Sequence, residues 1–122
     1  MVSEVKHEYP KVVIYDHVLA DISKARPLTG EEYRVFMCLL GKVKRDNTVP
    51  GPSETAKELD LRQPNVSRAY GELLKYGYLL KDDKGYHIHP MIAWYGSESR
   101  RIQAIEKALI ATLPASPYEW KG

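Results

Sequence analysis

The chain has 122 residues, of which 43% are hydrophobic and 28% are charged, and its formal net charge is +2. These values fit one small globular domain, and the one cysteine, Cys38, excludes an internal disulfide or a zinc site made of several cysteines. No apolar run approaches the roughly 20 residues that span a bilayer, and residues 1–8 are too polar for a secretion signal, so we expect a cytoplasmic protein with no membrane partner.

The N-terminal part predicts a polar, flexible tail over residues 1–10, then a strand and a short helix. Lys11–Tyr15 is apolar on both alternating faces, which suits a strand covered on both sides, and a second subunit is one candidate for the cover. Asp16–Ile22 predicts a short helix, and Pro27 closes the linker that follows.

The next helix has a clear start signal. Thr29 and Glu32 have the spacing of a capping box, in which each side chain bonds the backbone N–H of the other residue. The apolar positions that continue the helical period predict a helix at the back of the core, and they are Tyr33, Phe36, Met37, Leu40 and Val43. We expect Cys38, which lies among them, to be a small buried residue.

Two further helices around a tight turn are predicted over residues 53–77. Ser53 is the expected N-cap of the first helix, whose apolar edge ends at Asp60. Pro64 suits the first position of the second helix, which makes Gln63 its expected cap, and Gly77 lies where a helix ends. The buried stripe of the second helix is predicted to be Val66, Tyr70, Leu73 and Leu74.

Polar side chains cluster near the start of the second helix, on the side away from its apolar stripe. Arginine can grip guanine, asparagine and glutamine can grip adenine, and serine allows close approach to the backbone. The alternative interpretation is an ordinary solvated helix face. Together with the helix-turn-helix pattern the cluster predicts DNA contact by Arg62, Gln63, Asn65, Ser67 and Arg68.

A short hairpin follows the second helix. Strands over 78–81 and 86–89 flank a turn over 82–85, and Pro90 ends the second strand. Lys81 and Lys84 are predicted to contact DNA phosphates and thereby to position the protein without reading sequence. His87 and His89 share one strand face, but no third metal ligand is evident, and we expect them to face solvent or phosphate.

A long helix is predicted from residue 96 to about Leu113, where Pro114 prevents its continuation. Its narrow apolar stripe predicts dimerisation, and the alternative is packing against its own domain. The stripe consists of Ile102, Ile105, Leu109 and Leu113. Arg100 and Arg101 lie in the first turn, where the helix dipole disfavours positive charge, so we expect an anionic partner such as a phosphate or an acidic side chain.

The order of these segments resembles the RepL-type plasmid replication proteins of bacteria and, more broadly, the MarR-type winged helices. The resemblance runs from about residue 11 to about residue 105 and is carried by "KVVIYDHVL", "LTGEEYRVFMCLL", "NTVPGPSETAKELDLRQPNVSRAYGELLKYGYLLKDDKGYHIHP" and "WYGSESRRIQAI". It implies a winged helix and a role in plasmid replication or its control. It also implies that Asn65, Ser67 and Arg68 occupy DNA-reading positions.

The sequence thus predicts an α+β fold, a winged helix-turn-helix over 11–95 with an N-terminal strand, followed by a C-terminal helix and tail over 96–122. We expect a non-enzymatic protein without metal or cofactor, because no phosphate-cradling glycine loop and no activated nucleophile is present. Its expected partners are double-stranded DNA, a second copy of the chain, and host replication or transcription proteins. The alternative is a winged helix that binds a protein partner, which the balance of six basic and six acidic residues between Glu54 and Lys84 favours.

Overall fold

The computed structural model describes residues 12–112 of the chain. The predicted tail, residues 1–10, and Leu113 lie outside the described residues. The described elements are β1 (Val13–Ile14), α1 (Asp16–Ala25), α2 (Gly30–Lys42), β2 (Thr48–Val49), α3 (Pro52–Leu59), α4 (Gln63–Tyr76), β3 (Leu79–Asp82), β4 (Gly85–Ile88), β5 (Ala93–Trp94) and α5 (Glu98–Thr112).

These elements form an α+β fold with small antiparallel sheets. One sheet has the strand order β2-β4-β3, and β1 pairs with β5 in another. Strands β3 and β4 form the predicted hairpin, with Asp82 opposite Gly85 at the turn. Helix α3, a short turn, helix α4 and this hairpin follow one another in an order consistent with a winged helix.

Helix α2 begins as predicted but turns a different face to the core. The Thr29 hydroxyl accepts a hydrogen bond from the Glu32 N–H at 3.2 Å, and the Glu32 carboxylate accepts one from the Thr29 N–H at 3.0 Å, which confirms the capping box. The predicted stripe is wrong at Tyr33 and Met37, which are 44% and 56% exposed. Apolar residues surround much of this helix, so periodicity alone misplaces the buried face, which consists of Val35, Phe36 and Leu39. Cys38 is half-buried and not fully enclosed.

The starts of α3 and α4 differ from the predicted caps. Helix α3 begins at Pro52, so Ser53 lies inside its first turn and does not cap it. Helix α4 begins at Gln63, which places Pro64 in its first turn and makes Arg62 the cap residue. Each proline fixes a helical φ without needing an N–H partner, and α3 starts one residue before its expected cap, whereas α4 starts at the expected cap itself.

The end of α4 and its buried face follow the prediction. Gly77 adopts a left-handed conformation with φ 87°, and its N–H bonds the carbonyls of the last turn. Val66, Tyr70 and Leu73 are buried as expected, together with Ala69. Leu74 is only half-buried. The face of α4 that remains outside the core is therefore the one that carries the predicted DNA-reading cluster.

Strand β1 is shorter and more open than expected. Val13 pairs with Trp94 and Ile14 with Ala93. Within the chain their side chains are 50% and 44% exposed, so the prediction of a strand covered on both sides is wrong for the single subunit.

Helix α5 packs against its own domain at its N-terminal end and at one buried alanine. Arg100 donates two hydrogen bonds to the Asp46 carboxylate, at 2.9 and 2.7 Å. The guanidinium of Arg101 stacks on the Tyr15 ring, 3.6 Å from its centroid, and donates to the Pro90 carbonyl at 2.8 Å. Ala108 is buried, whereas Ile102 is 50% exposed. The inward face of α5 is thus not the apolar stripe read from the sequence.

Candidate nucleic-acid interface

The outer surface of α4 is open near its N-terminal end. Residues two apart in a helix lie about 200° apart around its axis, so Arg68 points away from the buried Val66. Gln63, Ser67 and Arg68 are exposed, and Asn65 is half-buried on the flank of the helix. Arg62, the cap residue, is also exposed. The structure therefore places the five predicted residues at one end of one helix, with Ser67 and Arg68 facing outward.

Gly71 extends this surface by one turn beyond Ser67. A Cβ at Gly71 would meet no atom within 4 Å, so packing within the described chain does not explain the glycine. Gly71 is exposed and lies next to Arg68 on the outer face. Gly71 therefore does not serve a close approach to another helix among the described residues.

Helices α3 and α4 are joined by a buried hydrogen-bonded group that the sequence did not reveal. The Tyr70 hydroxyl donates to the Pro50 carbonyl at 2.6 Å and accepts a bond from the Thr55 hydroxyl at 2.8 Å. Burial raises the pKa of Tyr70 to about 12, so its hydroxyl keeps its proton at neutral pH. These bonds fix the position of α4 relative to the start of α3.

The hairpin is fixed to the same helix by an aromatic contact. The Tyr86 ring meets the Tyr70 ring edge to face, with centroids 4.9 Å apart. The Lys81 ammonium lies 5.0 Å from the Tyr86 ring centroid, on the side of the sheet that faces α4. Lys84 lies in the two-residue turn, where its N–H bonds the Asp82 carboxylate at 2.8 Å. Both lysines are exposed, one beside α4 and one at the tip.

The basic residues of this surface differ from part of the acidic ones in their ion pairing. Two of the six acidic residues between Glu54 and Lys84 are paired: Glu58 lies 3.5 Å from the Lys42 ammonium, and Asp82 lies 3.0 Å from the His87 ring. Among the described residues no acidic side chain forms an ion pair with the basic residues of the α4 end and the hairpin. Those residues are Arg62, Arg68, Lys81 and Lys84. Within the described residues, no ion pair neutralises these four cations.

The two hairpin histidines do not face solvent or phosphate as expected. His87 places Nε2 3.0 Å from Asp82 Oδ1 and Nδ1 3.2 Å from the Asp46 carbonyl oxygen, and its side chain is only 17% exposed. His89 lies beyond the strand and accepts a bond from the Met91 N–H at 3.2 Å, and burial lowers its pKa. Within residues 12–112 no group of three metal-ligating side chains is found.

Arg100 and Arg101 of α5 were expected to have an anionic partner, and the structure confirms acidic side chains in that role. The hydrogen bond and charge of Arg100 hold the pKa of Asp46 below its ordinary value. Arg101 lies 3.5 Å from the Glu98 carboxylate. Arg100 and Arg101 therefore have their anionic partners within the chain, unlike the exposed basic residues of α4 and the hairpin.

Comparisons with known proteins give little beyond this geometry. No protein family and no curated protein matches the chain. A solved structure titled "Possible transcriptional regulator from Methanosarcina mazei Go1" is similar, with 20% sequence identity and a TM-score of 0.42 over 76% of this chain and 78% of that chain. That similarity is too low to assign a function. In the described part of the chain, no helix is long and apolar enough to cross a membrane.

Proposed function

We propose that the protein is a winged helix-turn-helix that binds double-stranded DNA in a sequence-specific way. Helix α4 enters the major groove, and the β3–β4 hairpin lies on the phosphate backbone. The observation that carries this proposal is the open N-terminal end of α4, where exposed Ser67 and Arg68 adjoin Gly71 and the exposed lysines of the hairpin. The unit that binds DNA comprises residues 11–95, and residues 96–122 provide a dimerisation element.

Some of the proposed contacts read the base sequence, and the others position the protein on the DNA backbone. Arg68 binds a guanine through two hydrogen bonds, and Gln63 and Asn65 bind adenines or bridge to them through water. Ser67 and Arg62 contact the backbone at the groove edge. Lys81 and Lys84 contact phosphates beside the groove and contribute affinity rather than sequence preference.

Binding as a two-fold dimer follows from the size of the surface. One short helix and a small hairpin offer few contacts, so two copies on a repeated site would supply the affinity. Ile102 is half exposed on α5, and the rest of the proposed interface comprises Ile105, Leu109 and Leu113. The recognition helices would then lie about 34 Å apart, or a multiple of that distance.

The resemblance to RepL-type proteins supports a role in the replication or transcription of a plasmid or similar mobile element, in the cytoplasm and alongside host replication or transcription proteins. An initiator and a repressor would use the same DNA contacts. Deletion separates them: loss of an initiator abolishes replication of the element, whereas loss of a repressor raises transcription from the bound promoter.

The test is selection of bound duplexes from a random DNA pool at about 150 mM salt, where long-range phosphate attraction is screened. We expect a repeated motif. Arg68→Ala should then weaken binding to that motif by about 1–3 kcal/mol and relax the preference at one base. Lys84→Ala should weaken all duplexes alike and lower the salt dependence. Lys24→Ala, on the exposed part of α1, is the matched control and should change neither.

A second candidate function is a winged helix that binds a protein partner through α4 or α5. The equal numbers of acidic and basic residues in the helix-turn-helix and hairpin favour it. It predicts no recovered motif from a folded protein and no effect of Arg68→Ala on whatever weak DNA affinity remains.

A further inference from the structure

A cleft separates α5 from the outer face of the hairpin sheet, with a volume of about 380 Å³. Leu80 lines it from the sheet together with Thr48 and His87, and Ala104 and Ala108 line it from the helix. The two alanines lie one turn apart, beside Gln103 and Lys107, and they present methyl groups where larger side chains would fill the gap. The cleft is therefore a slot between a sheet and a helix, with Leu80 on the sheet wall and the two alanines on the helix wall.

The rim of the slot carries an excess of positive charge. Its two carboxylates are already engaged, Asp46 with Arg100 and Asp82 with His87. Among the other lining cations, Lys84 of the turn and Lys107 of α5 are exposed and form no ion pair with another described residue. Two ammonium groups from opposite walls suit a doubly charged anion better than a single carboxylate.

We propose that this cleft binds a nucleoside monophosphate. The planar base fills the slot between the sheet and the alanine face of α5, and the phosphate is held by Lys84 and Lys107. The Gln103 amide, also on the lining, can donate to and accept from the edge of a base. The volume lies at the lower end of the about 300–1,000 Å³ typical of small-molecule sites, which suits one nucleotide.

Nucleotide binding would compete with DNA at one residue. Lys84 is also a proposed phosphate contact, so a bound nucleotide would neutralise it and weaken duplex binding. This regulatory step rests on the proposed DNA-binding function, whereas nucleotide binding itself does not. The two are measured separately, so the failure of one is distinguishable from the failure of the other.

The test is calorimetric titration of the full chain, without DNA, with the monophosphates of adenosine, guanosine, cytidine and thymidine. Inorganic phosphate and adenosine are the matched probes for each half of the ligand. We expect at least one nucleotide to bind with a Kd between about 0.01 and 1 mM, and each half alone to bind at least about tenfold more weakly.

Variants then place the ligand. Ala104→Leu should fill the slot and abolish nucleotide binding while thermal unfolding shows an intact fold. Lys107→Gln should weaken nucleotide binding about two- to fivefold, and Lys24→Gln should not change it. Should Ala104→Leu fail to fold, Lys107→Gln and amide shifts confined to the cleft replace it. The proposal is overturned if no nucleotide binds below about 5 mM. It is equally overturned if inorganic phosphate binds as well as every nucleotide, or if binding survives Lys107→Gln and Ala104→Leu unchanged.

Discussion

Asn47 is expected to be one of the most sensitive positions in the chain, because its side chain joins both sheets. It is 1% exposed and lies just before β2. Its Nδ2 donates to the carbonyls of Ile88 and Ala93, at 2.8 and 2.7 Å, and its Oδ1 accepts from the Tyr95 N–H at 2.9 Å. One side chain therefore fixes the end of β4 to β5 and holds the hairpin in place.

The magnitude follows from these bonds and from the backbone at Asn47. Asn47→Ala removes three hydrogen bonds and leaves buried backbone groups without partners, at about 1 kcal/mol each. Asn47 also has a φ of 64°, a left-handed conformation in which alanine is disfavoured by about 1 kcal/mol more than asparagine. We expect the free energy of unfolding to fall by about 3–4 kcal/mol, which lowers the melting temperature by more than about 10 °C.

Asn47→Gly separates the two contributions. Glycine adopts the left-handed conformation freely but cannot form the three bonds, so this variant should lose about 1 kcal/mol less than Asn47→Ala. Urea unfolding followed by tryptophan fluorescence and circular dichroism measures both variants, since Trp94 lies in β5 beside the affected contacts. If Asn47→Ala is destabilised by less than about 1 kcal/mol, the inferred role of Asn47 in joining the sheets is wrong.

Two further predictions concern α4. Gly71→Ala should raise the free energy of unfolding by about 0.5–1 kcal/mol, because glycine is unfavourable inside a helix and the added methyl group meets no atom within 4 Å. In the DNA-binding assay the same methyl group, next to Arg68, should weaken binding to the selected motif. A variant that is less stable than the original protein would contradict the open geometry at Gly71. Tyr70→Phe should cost about 1–2 kcal/mol by denaturation, since it removes the bond to the Pro50 carbonyl. The raised pKa of Tyr70, about 12, means that the folded state holds the hydroxyl proton more tightly than the unfolded state does. The stability that this proton contributes is therefore complete below about pH 10 and is lost as the pH rises towards 12. This loss should be absent in Tyr70→Phe.

The DNA-reading positions on α4 could be proposed from the sequence because they depend on one helix alone. The apolar stripe from Val66 to Leu73 fixes which side of α4 is buried, and the opposite side follows from the helical repeat. The structure establishes that Ser67 and Arg68 are exposed there, and their contact with DNA stays a proposal. Only the tertiary structure shows that Lys81 lies beside α4, because this position depends on the packing of Tyr86 against Tyr70.

The sequence by itself determined the features that are set by residues a few positions apart. The capping box of Thr29 and Glu32, the left-handed Gly77 and the tight turn before Gly85 each depend on local backbone geometry and short-range hydrogen bonds. For the same reason the sequence misplaced the caps at Ser53 and Gln63, where a neighbouring proline imposed a stronger local preference than the polar side chain did.

Only the tertiary structure decided the features that join distant parts of the chain. Arg100 and Asp46 are 54 residues apart, and Asn47 bonds groups 41 to 48 residues away, so no pattern within one helix or strand could reveal them. The buried face of α2 and the cleft beneath α5 belong to the same class. An apolar side chain is buried only where another element covers it, and a gap arises only where two elements meet with side chains too small to fill it.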